Sequence, residues 1–150
     1  PEANFQLVGW LDPGPDCIGQ VELDGWINDG TIEFLGKLGD VRPAIAASSV
    51  YVLPSYREGT PRTVLEAMAM GRAIVTTDAP GCRETVVDGY NGYLVEPKSV
   101  DSLVQAMLRF VENPAIVSKM GANSRLLAVE KFDVHKVNDA MLAIMGIQSL

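Results

Sequence analysis

A chain of 150 residues that is 47% hydrophobic and 21% charged has the length of one domain and can bury a core without disulfide or metal, which excludes a disordered or collagen-like chain. Its 12 Lys and Arg against 19 Asp and Glu leave a net charge of −7, which argues against a nucleic-acid platform and an electrostatic hold on anionic lipid. Cys17 and Cys82 have no metal-ligand spacing, no apolar stretch reaches the ~18–20 residues of a membrane span, and Pro1-Glu2-Ala3-Asn4 has no signal pattern, so a reduced, cytoplasmic setting is expected without excluding one disulfide.

The first strand is predicted at Phe5-Gln6-Leu7-Val8-Gly9, followed by a helix from Asp16 to Asn28 that turns Ile18, Val21 and Trp26 or Ile27 inward. A second strand runs from Thr31 to Leu35 and closes at Gly36. A short helix covers Val41 to Ala47, a third strand Ser49 to Leu53, and a helix Pro61 to Met70, ended by Gly71. Ala73 to Thr77 is a fourth strand, with a helical turn near Arg83 to Val87 and a short strand Tyr93-Leu94-Val95. The turn-rich Asp88-Gly89-Tyr90-Asn91-Gly92 shapes a bend between them. This repetition predicts an α/β fold, a parallel sheet with helices on both faces.

Beyond residue 97 the pattern is helical alone, a tail of the same domain. Val100, Leu103, Val104, Met107, Phe110 and Val111 form an apolar stripe that Asn113-Pro114 stops. Ile116, Met120 and Leu127 repeat it. Asp133 caps a last helix bearing Val137, Met141, Ile144 and Met145. The methionines read as core or contact residues, His135 as a surface helix residue, and Cys82 as structural. No internal boundary is visible, so residues 1–150 read as one domain.

In open α/β sheets the ligand crevice lies beyond the carboxyl ends of the strands, which directs attention to Pro54-Ser55-Tyr56-Arg57-Glu58-Gly59-Thr60-Pro61-Arg62. Thr60 offers an N-cap hydroxyl and Pro61 a first helical residue, leaving N–H groups near Arg62, Thr63 and Val64 for an anion such as phosphate. Glu58 stands just before this helix. Glu66 lies roughly 9 Å along its axis from the Thr60 cap. Two carboxylates bracketing an anion site suit a ligand with hydroxyls at both ends of a diphosphate, the layout of a nucleotide sugar. Arg62 and Arg83 either approach phosphate or are solvated, and Asp78 and Glu84 are further candidates for the crevice.

The run from Pro54 through Glu58 and Glu66 to Met68 resembles the Glu-x7-Glu signature of retaining GT-B glycosyltransferases of the family 4 type. Phe5 to Gly9, Ile32 to Gly36, Ala73 to Asp78, Pro80 to Glu84 and Lys131-Phe132-Asp133 fall in that family's order. The resemblance is to bacterial enzymes that add hexose or N-acetylhexosamine units to lipid-linked oligosaccharide precursors, as in lipopolysaccharide and capsule synthesis. It implies that Glu58 holds hydroxyls of the donor hexose and Glu66 the ribose diol. Backbone amides around Gly59, Thr60, Pro61, Arg62, Thr63, Val64 and Leu65 would face hexose and diphosphate. Gly36, Lys37 and Leu38 would border the nucleobase. Transfer would proceed with retention through an oxocarbenium-like transition state, with no metal and no cofactor beyond a nucleoside diphosphate sugar, a UDP-sugar being expected.

The resemblance covers only the donor-binding domain of such an enzyme, a Rossmann-like unit. The family's first strand and helix, with a phosphate-gripping Arg and Lys, and the acceptor domain have no counterpart in the sequence. An isolated chain is therefore expected to be inactive, and the acceptor, a glycan or lipid-linked sugar, would be met by a longer parent held peripherally at the inner membrane. A nucleotide-sugar-binding module without transfer activity and a GT-B-type sugar-nucleotide epimerase remain the alternatives. Without the missing strand, the first and third strands either pair directly or present open edges, so a homo-oligomer is expected.

Overall fold

The computed structural model describes residues 3–12, 14 and 17–146. The chain divides into two compact units, residues 1–43 and 44–150, and each is described by itself. All strand ladders in both are parallel, as expected of an α/β fold whose strands are joined through helices or long crossovers.

The first unit contains β1 (Gln6–Val8), α1 (Gln20–Asn28) and β2 (Glu33–Gly36). β1 pairs with β2 through Gln6↔Glu33 and Leu7↔Phe34, and the register slips before Val8↔Gly36. Gly36 ends the strand in the left-handed region (φ 66°), which glycine enters without strain. The predicted start of α1 at Asp16 lies outside the described residues, and the helix begins at Gln20. Its inward residue is Leu23, whereas Val21 is 87% exposed and Ile18 and Ile27 are also exposed. Leu23 and Trp26 share one helical face and Val21 lies opposite, so of the predicted inward residues only Trp26 turns inward, half-buried. Beyond β2, α2 (Arg42–Ala47) begins, and the Arg42 side chain donates to both Asp40 carboxylate oxygens at 2.8 Å, holding that carboxyl down at about 2.

The second unit is a three-stranded sheet in the order β3 (Val50–Leu53), β4 (Ala73–Thr77), β5 (Gly92–Val95). β4 is central and buried throughout, which is why Ala73-Ile74-Val75 is continuously apolar. α3 (Arg62–Ala69) packs on β3 and β4, and α4 (Val100–Glu112) and α5 (Ala115–Lys131) pack on β4 and β5. Ala73, Val75 and Val95 form a core with Ala106, Phe110 and Met120. Val100, at the head of the predicted α4 stripe, is 74% exposed, and Val104 is exposed too.

The bend after β4 is built around Asn91, fully buried. Its Oδ1 accepts the Val87 N–H at 2.8 Å and its Nδ2 donates to the Thr85 carbonyl at 3.1 Å. Gly121 of α5 lies against Gly71, where a Cβ would come within 2.2 Å of the Gly71 carbonyl, and Arg125 Nη1 donates to the Ala69 carbonyl. α6 (Val134–Ile144) is capped as predicted, Asp133 accepting from the His135 and Lys136 amides. It has no buried residue. Met107 and Met120 fulfil the expected core role in part or whole, while Met141 and Met145 are exposed, as is His135.

The two edges of this sheet differ. At β5, Leu94 N–H donates to Asp88 Oδ1, Glu96 N–H to Ser102 Oγ, and Gly89 N–H to the Gly92 carbonyl. β3 is laddered to β4 alone, and β1 to β2 alone, among the described residues. Both thiols are free, Cys17 exposed and Cys82 buried, and among the described residues no helix is long and apolar enough to cross a membrane.

Candidate functional site

The carboxyl end of β3 leads through residues 54–61 into α3, so the candidate site is assembled where strand meets helix. α3 forms because Val64, Ala67 and Met68 fall on one face and are fully buried. Its cap is Pro61 (φ −71°, ψ 111°), not the predicted Thr60. Proline's fixed φ suits the cap position, and its carbonyl accepts from Val64 N–H at 3.1 Å and Leu65 N–H at 3.2 Å. Thr60 caps nothing. The Val64 amide, expected to be free, is therefore used, whereas the amides of Arg62 and Thr63 have no acceptor among the described residues.

The predicted residues separate by exposure. Glu58, Gly59, Thr60, Arg62 and Glu66 are exposed, Thr63 and Leu65 half-buried, Pro61 and Val64 buried. Only backbone of Val64 and Leu65 stands near the helix start, and its N–H groups are already bonded, so these two offer a ligand no donor there. Measured from the Pro61 cap, Glu66 stands about 7.5 Å along the axis. Arg62 occupies the first helical position and no acidic residue lies in the first turn, an arrangement that leaves the positive end of the helix uncompensated.

Glu58 is held from two sides. Ser55 Oγ donates to its Oε1 at 2.7 Å, and its own N–H donates to the Pro80 carbonyl at 3.2 Å. The phenol of Tyr51 on β3 is pushed above its usual range, chiefly by burial and further by the negative charges of Glu66 and Glu58, against a hydrogen bond with Thr63. One side chain thus registers both carboxylates. Tyr51 was not singled out from the sequence, where it reads as an ordinary strand aromatic.

Asp78 pairs with Arg83 Nε at 3.0 Å and Arg83 Nη2 donates to the Asp78 carbonyl at 2.7 Å, so this arginine braces its own turn. Lys98 Nζ lies 5.5 Å from the centre of the exposed Tyr56 ring. Gly36, Lys37 and Leu38 belong to the first unit, where Lys37 Nζ stacks 4.9 Å over Trp10. Among the described residues no group of three or more His, Cys, Asp and Glu is arranged to hold a metal.

A family model described as "Glycosyl transferases group 1" matches residues 1–113. The chain is 34% identical over 123 residues to a Campylobacter jejuni N,N'-diacetylbacillosaminyl-diphospho-undecaprenol alpha-1,3-N-acetylgalactosaminyltransferase, covering 82% of this chain and 32% of that one. It is 32% identical over 136 residues to an Escherichia coli UDP-Gal:alpha-D-GlcNAc-diphosphoundecaprenol alpha-1,3-galactosyltransferase, covering 91% and 35%. The structure of Anabaena HepE in complex with UDP is similar at a TM-score of 0.82 and 25% identity over 97% of this chain and 41% of that one. The chain spans about a third of the length of these two curated relatives.

Proposed function

The chain belongs to the group 1 glycosyl transferases, and from that premise we propose that it is the donor-binding part of a retaining glycosyltransferase that takes a hexose or N-acetylhexosamine from a UDP-sugar. The Rossmann-like α/β fold with flanking helices is that of a GT-B C-terminal domain. The observation that carries the reading is the start of α3, where the free amides of Arg62 and Thr63 fall in sequence between two exposed glutamates, Glu58 and Glu66. Amides and helix dipole suit the diphosphate, and they stabilise the charge that grows on it as the glycosidic bond breaks. Glu58, on the approach to the helix, would meet hexose hydroxyls, and Glu66 the ribose diol. The UDP in the HepE complex and the UDP-Gal in the name of the Escherichia coli relative support the choice of donor.

Both curated relatives are named for acceptors on diphospho-undecaprenol, and we take a lipid-linked glycan to be the acceptor class of the longer protein. Residues 1–150 alone would bind donor weakly and transfer nothing. Calorimetry on Glu58→Ala and Glu66→Ala tests the roles. Glu66→Ala should weaken UDP itself by ~1.5–3 kcal/mol, the worth of a charged acceptor. Glu58→Ala should leave UDP binding largely intact and remove the extra affinity of the intact sugar donor. Equal losses for both ligands in both variants would sink the assignment.

A further inference from the structure

Where the β3–β4 ladder ends, side-chain hydroxyls continue it. The last backbone pair is Leu53↔Thr76. Beyond it, Thr76 Oγ1 donates to the Leu53 carbonyl at 2.8 Å, and Thr77 Oγ1 donates to the Ser55 carbonyl. Both threonines are buried, so these hydroxyls are committed to their acceptors. Ser55 then donates its own hydroxyl to Glu58 Oε1. The chain of donors runs from the core strand to the carboxylate in two steps.

Gly81 closes the other side. It lies at φ 85°, and a Cβ there would fall 2.0 Å from the Gly59 carbonyl and 2.2 Å from that of Glu58. Both neighbours are backbone, so neither yields by rotating a side chain. The adjacent Pro80 carbonyl takes the Glu58 amide. Loop 54–59 has no regular structure of its own, and residues 77–81 hold its backbone at Ser55, Glu58 and Gly59.

We infer that Thr77 and Gly81 are positioning residues that set the Glu58 carboxylate for the donor sugar, an inference that rests on Glu58 meeting that sugar. A residue that merely holds the fold weakens UDP and sugar donor alike. A residue that aims Glu58 changes only the gain in affinity that the sugar adds to UDP.

The test is calorimetry on the 150-residue chain with UDP, UDP-glucose, UDP-galactose and UDP-N-acetylglucosamine, using the sugar with the largest gain over UDP in the unmodified chain. Glu58→Gln should lose that gain. Thr77→Val, which keeps the volume and removes the hydroxyl, should lower it about three- to tenfold, the range of one hydrogen bond. Thr77→Ser should restore it. Gly81→Ala should abolish it, and if that variant fails to fold the threonine pair carries the test alone. UDP affinity should stay within about twofold throughout, because the amides of Arg62 and Thr63 are untouched. A gain lost in Glu58→Gln but kept in Thr77→Val and folded Gly81→Ala overturns the positioning role by itself, as does equal weakening of UDP and sugar. No gain for any of the three sugars, or a gain indifferent to Glu58→Gln, overturns the reading of Glu58 first.

Discussion

Arg62 stands where a helix ordinarily gains from an acid. A cation in the first turn faces the positive end of the dipole and costs about 0.3–1 kcal/mol at an exposed site. An arrangement that is unfavourable for folding and favourable for an anion makes a trade that one substitution can expose. Arg62→Glu should raise the thermal midpoint of the chain and weaken UDP by about tenfold or more, following the same charge reversal. Differential scanning fluorimetry with and without UDP reads both. A variant that is more stable and binds UDP unchanged would remove the diphosphate from this helix end. Tyr51 permits a second check. Its phenol is raised by burial, then by Glu66 and Glu58, so the native state holds the proton more tightly than an unfolded phenol, which titrates near 10. The associated stability is complete below about pH 10 and is lost as pH rises through the native value. Tyr51→Phe should flatten the alkaline fall of the melting temperature; identical slopes for both proteins would contradict it.

α3 is fixed at its rear by the approach of Gly71 to Gly121. Gly121→Ala forces helix α5 off the α3–β4 turn, and overpacking of this kind costs about 1–3 kcal/mol. Urea unfolding should show a lower midpoint at unchanged slope, and an unmoved midpoint would mean that α5 lifts freely. Elements such as α3 and β4 were legible from their bounds, five apolar or threonine residues between Gly71 and Asp78 for the strand and the stretch from Pro61 to the stop at Gly71 for the helix. α1 was legible as a helix but not in its facing, because Val21 and Leu23 begin two competing stripes and only packing chooses between them. The two glutamates could be proposed from their spacing on either side of a helix start. Thr77, Gly81 and the Pro61 cap could not. Their partners are backbone atoms, carbonyls 22 residues away for Thr77 and the local φ and ψ for Pro61, and a residue pattern does not encode a carbonyl's position.

At the scale of the molecule, β3 presents Val50-Tyr51-Val52-Leu53 with one edge unladdered and no charge, proline or bulge within the strand. Natural sheets usually guard such an edge. α6 adds apolar area, with Ile144 87% exposed and Met141 and Met145 also exposed. We expect residues 1–150 to self-associate, and sedimentation at micromolar concentration should find a species of twice the chain mass; a monodisperse monomer would contradict this.

The guarded edge at β5 decides what kind of assembly that sheet can make. With Gly92, Leu94 and Glu96 already spoken for by Gly89, Asp88 and Ser102, each copy brings this sheet a single joinable side. A two-fold pairing through β3 uses it up in both copies at once. Growth through this sheet therefore terminates at the first encounter. A third copy would find no open strand of this sheet to add to, and a six-stranded product would be closed where a sheet with two open sides would propagate into a filament.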